Sequence, residues 1–341
     1  MRKELAAFAQ AQATLDELRA VNTRLAGQLL RARVGKDELV EAVYRGAKDA
    51  AAGLSIPPVP VPKLKDGMRG TEEVAVIVLS DLQLAKRTPT YNTRVCEQRV
   101  ERMAEKVARM VAIQRSDHPV QRARVYLLGD IVEGELIFGH QAHQIDGSLY
   151  QQVAVTGPRI VTGFLRRMLA LFEAVHVVGV VGNHGELGGV TRRSYNPTTN
   201  ADRILYRFCQ QLLAAEKRLT WHIPDMENEH CFYAVDYPVG EHHGFMLFHG
   251  NQLNKDVSQW PRRIALWRSG GIPEPFRYSI HGHWHTPVRL QINELTAFCN
   301  GSTESTNTYA QERLSAVGKP EQFVCFVHPK HGITGEYWVK L

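Results

Sequence analysis

Val74-Ala75-Val76-Ile77-Val78-Leu79-Ser80-Asp81-Leu82-Gln83 begins with an unbroken apolar run, rich in β-branched residues, and ends abruptly in polar ones. A run of that length and branching predicts a strand buried on both faces. The same pattern returns twice. A helix predicted over Arg94 to Arg115 leads to a strand from Arg124 to Leu128, which ends in Gly129-Asp130. A second predicted helix, Tyr150 to Glu173, leads to a strand from Ala174 to Val181, followed by Gly182-Asn183-His184. This is β-α-β-α-β with polar residues just past each strand's C-terminal end. Parallel strands deliver their loops to one edge of the sheet, and that edge is where α/β proteins build sites.

Beyond a helix predicted from Asn200 to Lys217, the pattern turns to β. Cys231 to Tyr237 and Gly244 to Phe248 read as strands, the second running into His249-Gly250. Arg277 to Ile280 runs into His281-Gly282-His283-Trp284-His285, and several short strands close the chain. Two segments precede this domain, which is predicted to span 71–341. In residues 1–54, Phe8, Leu15, Leu18, Leu25 and Leu29 fall on a 3-4 spacing, with Asn22 between them. Asn within a heptad seam sets register in a two-stranded coiled coil, which would make the chain a homodimer. The same spacing also suits an amphipathic helix packed on its own domain. Residues 55–70 hold Pro57, Pro58, Pro60 and Pro62 and are predicted to be an extended linker.

With 341 residues, 44% hydrophobic and 22% charged, the chain has the size and composition of a soluble globular protein. Its five cysteines are scattered and never form a C-x-x-C pair, which predicts free thiols in a reducing cytoplasm. No segment approaches the roughly 18–20 apolar residues of a membrane span, so no membrane partner is expected. A net charge of +6 is compatible with a phosphate-rich partner.

Asp81, Gln83, Asp130, Asn183, His249, His283 and His285 all stand at predicted strand ends. Mixed carboxylate, amide and imidazole donors suit divalent ions such as Mn²⁺, Fe²⁺, Zn²⁺ or Mg²⁺. One shared carboxylate between two donor sets fits a two-metal phosphoryl-transfer site. The order Asp-x-Gln, Gly-Asp, Gly-Asn-His, His-Gly, Gly-His-x-His resembles the five-block signature of the calcineurin-like metallophosphoesterases, over about Val74 to Pro287. That resemblance implies an α/β fold, a β-sandwich flanked by helices in four layers (α/β/β/α), with the N-terminal helix as an appendage. It further implies that Asp130 bridges two ions, with Asp81, Gln83 and His285 completing one site and Asn183, His249 and His283 the other. His184 matches the family histidine that stabilises or protonates the leaving oxygen, after in-line attack by a metal-bridging hydroxide.

Two positions depart from the family pattern. Gln83 stands where the family has His, which predicts a weaker first site and a preference for harder Mn²⁺ or Mg²⁺. Gly185-Glu186 follows His184, where the family has an acidic residue directly, so either Glu186 orients that ring or no acidic residue does. The loop from Gly129 to Gln141 is similar to that of the exonuclease subunit of archaeal D-family polymerases. The helical N-terminus, Pro-rich linker and Asp-Leu-Gln block resemble phosphoesterases of actinobacterial bacteriophages, which implies an intracellular place in an infected cell. These resemblances, with that to SbcD-like repair nucleases, favour a Mn²⁺-dependent DNA exonuclease of 3′→5′ polarity. A cyclic-nucleotide phosphodiesterase or nucleotidase, and a non-catalytic scaffold with a retained metal site, are the alternatives. Arg192, Arg193, Arg203, Arg262, Arg263 and Arg268 are candidates to hold flanking phosphates, His140 and His143 to touch substrate, and Trp260 or Tyr195 to stack on a base; core packing and solvated surface are the competing readings.

Overall fold

The computed structural model describes Arg45 and residues 56–64, 70–135, 137, 141–187, 197–224, 232–305 and 319–341. The chain divides into two units, Met1–Ala47 and Lys48–Leu341, and the sandwich belongs to the second. The heptad seam from Phe8 to Leu29, and the dimer it would support, lie outside the described residues.

The opening run forms β1 (Val74–Leu79), buried along its whole length as its composition requires. Next along the chain come α1 (Thr93–Gln114), β2 (Arg122–Leu128), α2 (Gly157–Leu171), β3 (Ala174–Val180), α3 (Ala201–Leu212) and β4 (Leu219–His222). Strands β1 to β4 pair in parallel, in chain order. The second half supplies β5 (Tyr233–Asp236), β6 (Phe245–Phe248), α4 (Trp260–Leu266), β7 (Tyr278–His281), β8 (Val288–Ile292), β9 (Leu295–Cys299), β10 (Glu321–His328) and β11 (Gly332–Lys340). Strands β10 and β11 return to the first sheet beside β1, giving the order β11-β10-β1-β2-β3-β4. The other sheet has the order β5-β6-β7-β9-β8, with β6, β7 and β9 parallel.

Strand periodicity builds the layers. Val76, Val78, Tyr126, Leu128, Val178 and Val180 point from the first sheet into a core shared with Ala234, Phe245, Leu247, Ile280 and Phe298 of the second. The intervening residues of β1, Ala75, Ile77 and Leu79, are buried too, on the face where helices α1 to α3 lie. On the outer face of the second sheet, Met246 and Phe248 pack against Trp260, Ile264 and Trp267 of α4 and the turn after it. The result is the expected α/β/β/α sandwich. Tyr126 crosses between the sheets and donates its hydroxyl to Asp236 at 2.8 Å, so its polar end is satisfied inside the core.

Some boundaries differ from the sequence expectation. The helix expected from Tyr150 starts as a π-helical turn, Gln151–Thr156, because Gln152 is pulled inward to accept Gly134 N–H at 2.8 Å. The helix expected to run to Lys217 stops at Leu212 and turns into β4, a strand whose pattern merges with the helix in the sequence. Of the Pro-rich stretch, Ile56 to Leu64 lies without helix or strand and is held on the domain. Arg166 donates to Pro57 O at 2.7 Å and Arg218 to Val59 O at 2.8 Å. Among the described residues, no helix is long and apolar enough to cross a membrane. Cys96, Cys209, Cys299 and Cys325 are buried free thiols.

Candidate metal centre

The loops after β1, β2, β3, β6 and β7 meet at one edge of the sandwich. Backbone bonds zip the first two together: Asp81 N–H donates to Gly129 O and Gln83 N–H to Asp130 O, both at 3.0 Å. Asp81, Gln83, Asp130, His283 and His285 all have positive φ, from 47° to 71°. Non-glycine residues in that left-handed region cost on the order of 1–3 kcal/mol each and persist where surrounding contacts over-determine them. Here strain aims side chains inward. Two glycines make room for the carboxylates: a Cβ on Gly182 would stand 2.1 Å from Asp130 Oδ1, and one on Gly282 would stand 2.2 Å from Asp81 Oδ2.

His249 lies at the centre. Its Nδ1–H donates to Leu128 O at 2.7 Å, which leaves the Nε2 lone pair facing inward. That Nε2 is 3.0 Å from Asp130 Oδ2, 3.2 Å from Asn183 Oδ1 and 3.2 Å from His283 Nδ1. Asp130, His249 and His283 together place three donor atoms within 4.8 Å of one another. A second group adjoins it. His285 Nε2 is 3.3 Å from Asp81 Oδ1, whose carboxylate also accepts His283 N–H at 3.0 Å and Ser80 Oγ–H at 2.5 Å. Gln83 donates Nε2–H to Asp130 Oδ2 at 3.4 Å, while its Oε1 is buried with no hydrogen-bond partner. All seven residues read from the strand ends are therefore brought to one place.

Burial and mutual charge set the electrostatics. Burial alone would raise the Asp130 pKa, but His249, His184 and His283 hold its carboxyl far below the usual range. Conversely, burial would lower His249 and His184. The Asp130 carboxylate outweighs it and lifts His249 to about 9, and Asp130 with Glu133 lifts His184 to about 10. Burial and the neighbouring His249 push His283 down to about 3. The pocket thus draws positive charge, and a divalent cation would compete with protons for the same lone pairs.

His184 sits at the rim, 13% exposed, with Nε2 3.8 Å from Asp130 Oδ2. Its Nδ1 lies 3.1 Å from Glu133 O and 3.3 Å from Glu133 Oε2. Glu133, in the loop after Asp130, therefore stands beside this ring, a neighbour that the sequence reading did not name. His281 is buried at the end of β7 between Phe248 and Trp260, and burial lowers its pKa to about 4.

Three further residues at the site carry no signal in the sequence. Asp202, fully buried at the start of α3, accepts the backbone N–H groups of Asp130, Ile131, Val132 and Gly182 at 2.9 to 3.1 Å. Lys86 and Glu304 form an ion pair of 2.9 Å beside His285. None of the three sits in a motif, and backbone amides leave no trace in a sequence.

The substrate candidates fare differently. His140, Arg192, Arg193 and Tyr195 lie outside the described residues. Arg203 is buried and donates to Pro224 O. Arg262 and Arg263 are exposed on α4, with the Arg263 guanidinium over the Trp267 ring at 5.2 Å. His143 is exposed in a short 3-10 turn. Base stacking by Trp260 is ruled out: the ring is 2% exposed, edge-on to His281, and its Nε1–H is taken by Asn254 O at 2.6 Å.

No family model matches the chain. No curated protein matches it either. Among solved structures, an archaeal phosphodiesterase aligns over 78% of this chain and 99% of its own, at 9% identity and a TM-score of 0.36. A hypothetical protein from Pyrococcus horikoshii OT3 aligns over 79% and 88%, at 11% identity and 0.39. Vps29 from Entamoeba histolytica, complexed with zinc, aligns over 78% and 98%, at 12% identity and 0.34. Two facing sheets between helical layers, one of them continued by β10 and β11, with the clustered side chains on loops at their shared edge, form the α/β/β/α architecture that the resemblance in the sequence implies.

Proposed function

We propose that the chain is a metal-dependent phosphodiesterase acting on nucleic acid, a DNA exonuclease of 3′→5′ polarity working with two divalent ions, Mn²⁺ foremost. One observation carries the reading: Asp130 Oδ2, Asn183 Oδ1 and His283 Nδ1 crowd within 3.0 to 3.2 Å of His249 Nε2, beside the unpartnered Gln83 Oε1. Lone pairs packed that closely repel unless a proton or a cation lies among them, and a buried amide oxygen without a donor costs about 1–3 kcal/mol. The donors fit divalent ions. Asp81, Gln83, Asp130 and His285 would hold one, and Asp130, Asn183, His249 and His283 the other. Ions bound there supply Lewis-acid neutralisation of the charge that develops on a phosphoryl group.

The chain's own residues do the rest. Leu128 O fixes the His249 tautomer, and Asp202 fixes the loop that carries Asp130. Asp81, Asp130 and His249 are at most 1% exposed, so bulk water is kept from the charged atoms. Glu133 holds the proton on His184 Nδ1, which leaves Nε2 to carry a second one towards a leaving oxygen. Nucleic acid is favoured by the resemblance of the Gly129–Gln141 loop and by the net charge of +6. Manganese is favoured by the amide oxygen of Gln83, a harder donor than imidazole.

The test is hydrolysis of 3′- and 5′-labelled single- and double-stranded DNA with Mn²⁺, with Asp130→Ala as control and cyclic nucleotides in parallel. Stepwise loss of label from the 3′ end, abolished in Asp130→Ala, supports the proposal. Cleavage of small diesters alone replaces DNA with nucleotides as substrate, and inertness of the metal-loaded protein makes the site a structural one. Gln83→His should raise affinity at the weaker of the two sites in a calorimetric Mn²⁺ or Zn²⁺ titration. An unchanged isotherm would remove this account of Gln83.

A further inference from the structure

We infer that Glu304 is a positioning carboxylate for His285, holding the ring proton on Nδ1 and turning Nε2 towards Asp81. The inference rests on reading the Asp81–His285 corner as an ion site. Glu304 lies beyond β9, in Asn300-Gly301-Ser302-Thr303-Glu304, outside the five blocks. Its side chain is 2% exposed; Oε2 is 2.9 Å from Lys86 Nζ and 3.4 Å from His285 Nδ1, and Oε1 has no hydrogen-bond partner. Across the same ring, Nε2 is 3.3 Å from Asp81 Oδ1. A neutral imidazole carries one proton. A buried carboxylate behind Nδ1 keeps it there and leaves the Nε2 lone pair for a cation; it also makes that nitrogen a stronger donor.

The loop that delivers Glu304 is fastened to the residue the ring faces. Ser302 Oγ–H donates to Asp81 O at 2.8 Å, Thr303 N–H to the same oxygen at 3.3 Å, and Thr303 Oγ–H to Leu82 O at 3.1 Å. Glu304 N–H then turns back to Ser302 Oγ at 2.9 Å. Asp81, His285 and Glu304 thereby form one rigid group, with Lys86 neutralising the carboxylate from outside. Such a group offsets the weakness of its neighbour. Gln83 brings a neutral amide to this corner, and a carboxylate behind His285 restores donor strength that the amide does not supply.

The test is calorimetric Mn²⁺ titration of the metal-stripped full chain as wild type, Glu304→Gln, Glu304→Ala and Lys86→Met, with ¹⁵N NMR of the imidazoles before metal is added. Glu304→Ala should weaken one of two sites by about 10–100-fold and leave the other unchanged. Glu304→Gln should show a smaller loss, since an amide oxygen would face Nδ1 as the carboxylate does but carry no charge. Lys86→Met removes the ion pair and not the contact with His285, so both sites should hold. Two wild-type-like sites in both Glu304 variants, or an equal loss in Lys86→Met, would overturn the inference. If wild type itself binds fewer than two ions, the two-ion reading fails and the metal-free spectra decide instead. His285 protonated on Nδ1 in wild type but mixed between tautomers in Glu304→Gln supports the positioning role; the same tautomer in both overturns it.

Discussion

His184→Ala should keep both ions and lose about two to four orders of magnitude in turnover, the usual scale of a positioned general acid. The reason for retention is local. The contact that binds this residue to the cluster is its backbone N–H, which donates to Asp130 Oδ1 at 2.8 Å and survives the substitution. The ring itself is farther out, with Nε2 3.8 Å from Asp130 Oδ2. The reason for lost turnover is charge. Burial works against a proton on this ring, yet Asp130 and Glu133 together raise its pKa to about 10, so it reaches neutral pH as a proton carrier. Alanine removes that carrier and leaves the leaving oxygen to water. Metal content measured beside kcat decides the matter: if the ions depart with the ring, His184 is a ligand and not a proton donor.

How much of the fold and site is legible in the sequence depends on what each residue touches. β1, β2 and β3 announce themselves because a strand covered on both faces must be apolar throughout, and the polar residues that stop each run become the site. The same logic places His249 after β6 and His283 after β7. β4 escapes notice because it is short and follows α3 through a tight turn, so its pattern merges with the helix. Glu186 is expected beside His184 by sequence nearness, whereas Glu133 reaches the same ring only because the loop after Asp130 folds back, which sequence spacing does not show. Trp260 reads as a stacking platform because an exposed aromatic and a buried one are identical in sequence; α4 turns it inward onto His281. Glu304 follows the strand next to β7, and only tertiary pairing reveals that its loop lies against Asp81.

Asp202→Asn should destabilise the fold by several kcal/mol and abolish metal binding, although no atom of its side chain faces the cluster. The carboxylate accepts in two pairs: Oδ1 takes Ile131 N–H at 3.0 Å and Val132 N–H at 3.1 Å, while Oδ2 takes Asp130 N–H and Gly182 N–H, each at 2.9 Å. It therefore ties the Asp130 loop to the Gly182-Asn183-His184 loop. Asparagine keeps the shape but turns one oxygen into a donor, which then confronts two N–H groups that the carboxylate had accepted. At about 1–3 kcal/mol for each buried donor left unpaired, the loss is roughly 2–6 kcal/mol, a large part of the ~5–15 kcal/mol that holds a typical domain together. Burial and the nearby Asp130 raise the Asp202 pKa to about 6, with the bonds from Gly182 and Val132 opposing the shift, so at neutral pH the group acts mainly as a carboxylate. Asparagine lacks that charge as well. Even where the variant folds, Asp130 would lose the backbone bond that fixes its left-handed conformation, and its carboxylate would leave His249. A denaturant titration paired with Mn²⁺ calorimetry separates the two effects. Wild-type stability together with wild-type metal binding would show that these two loops hold their shape without Asp202.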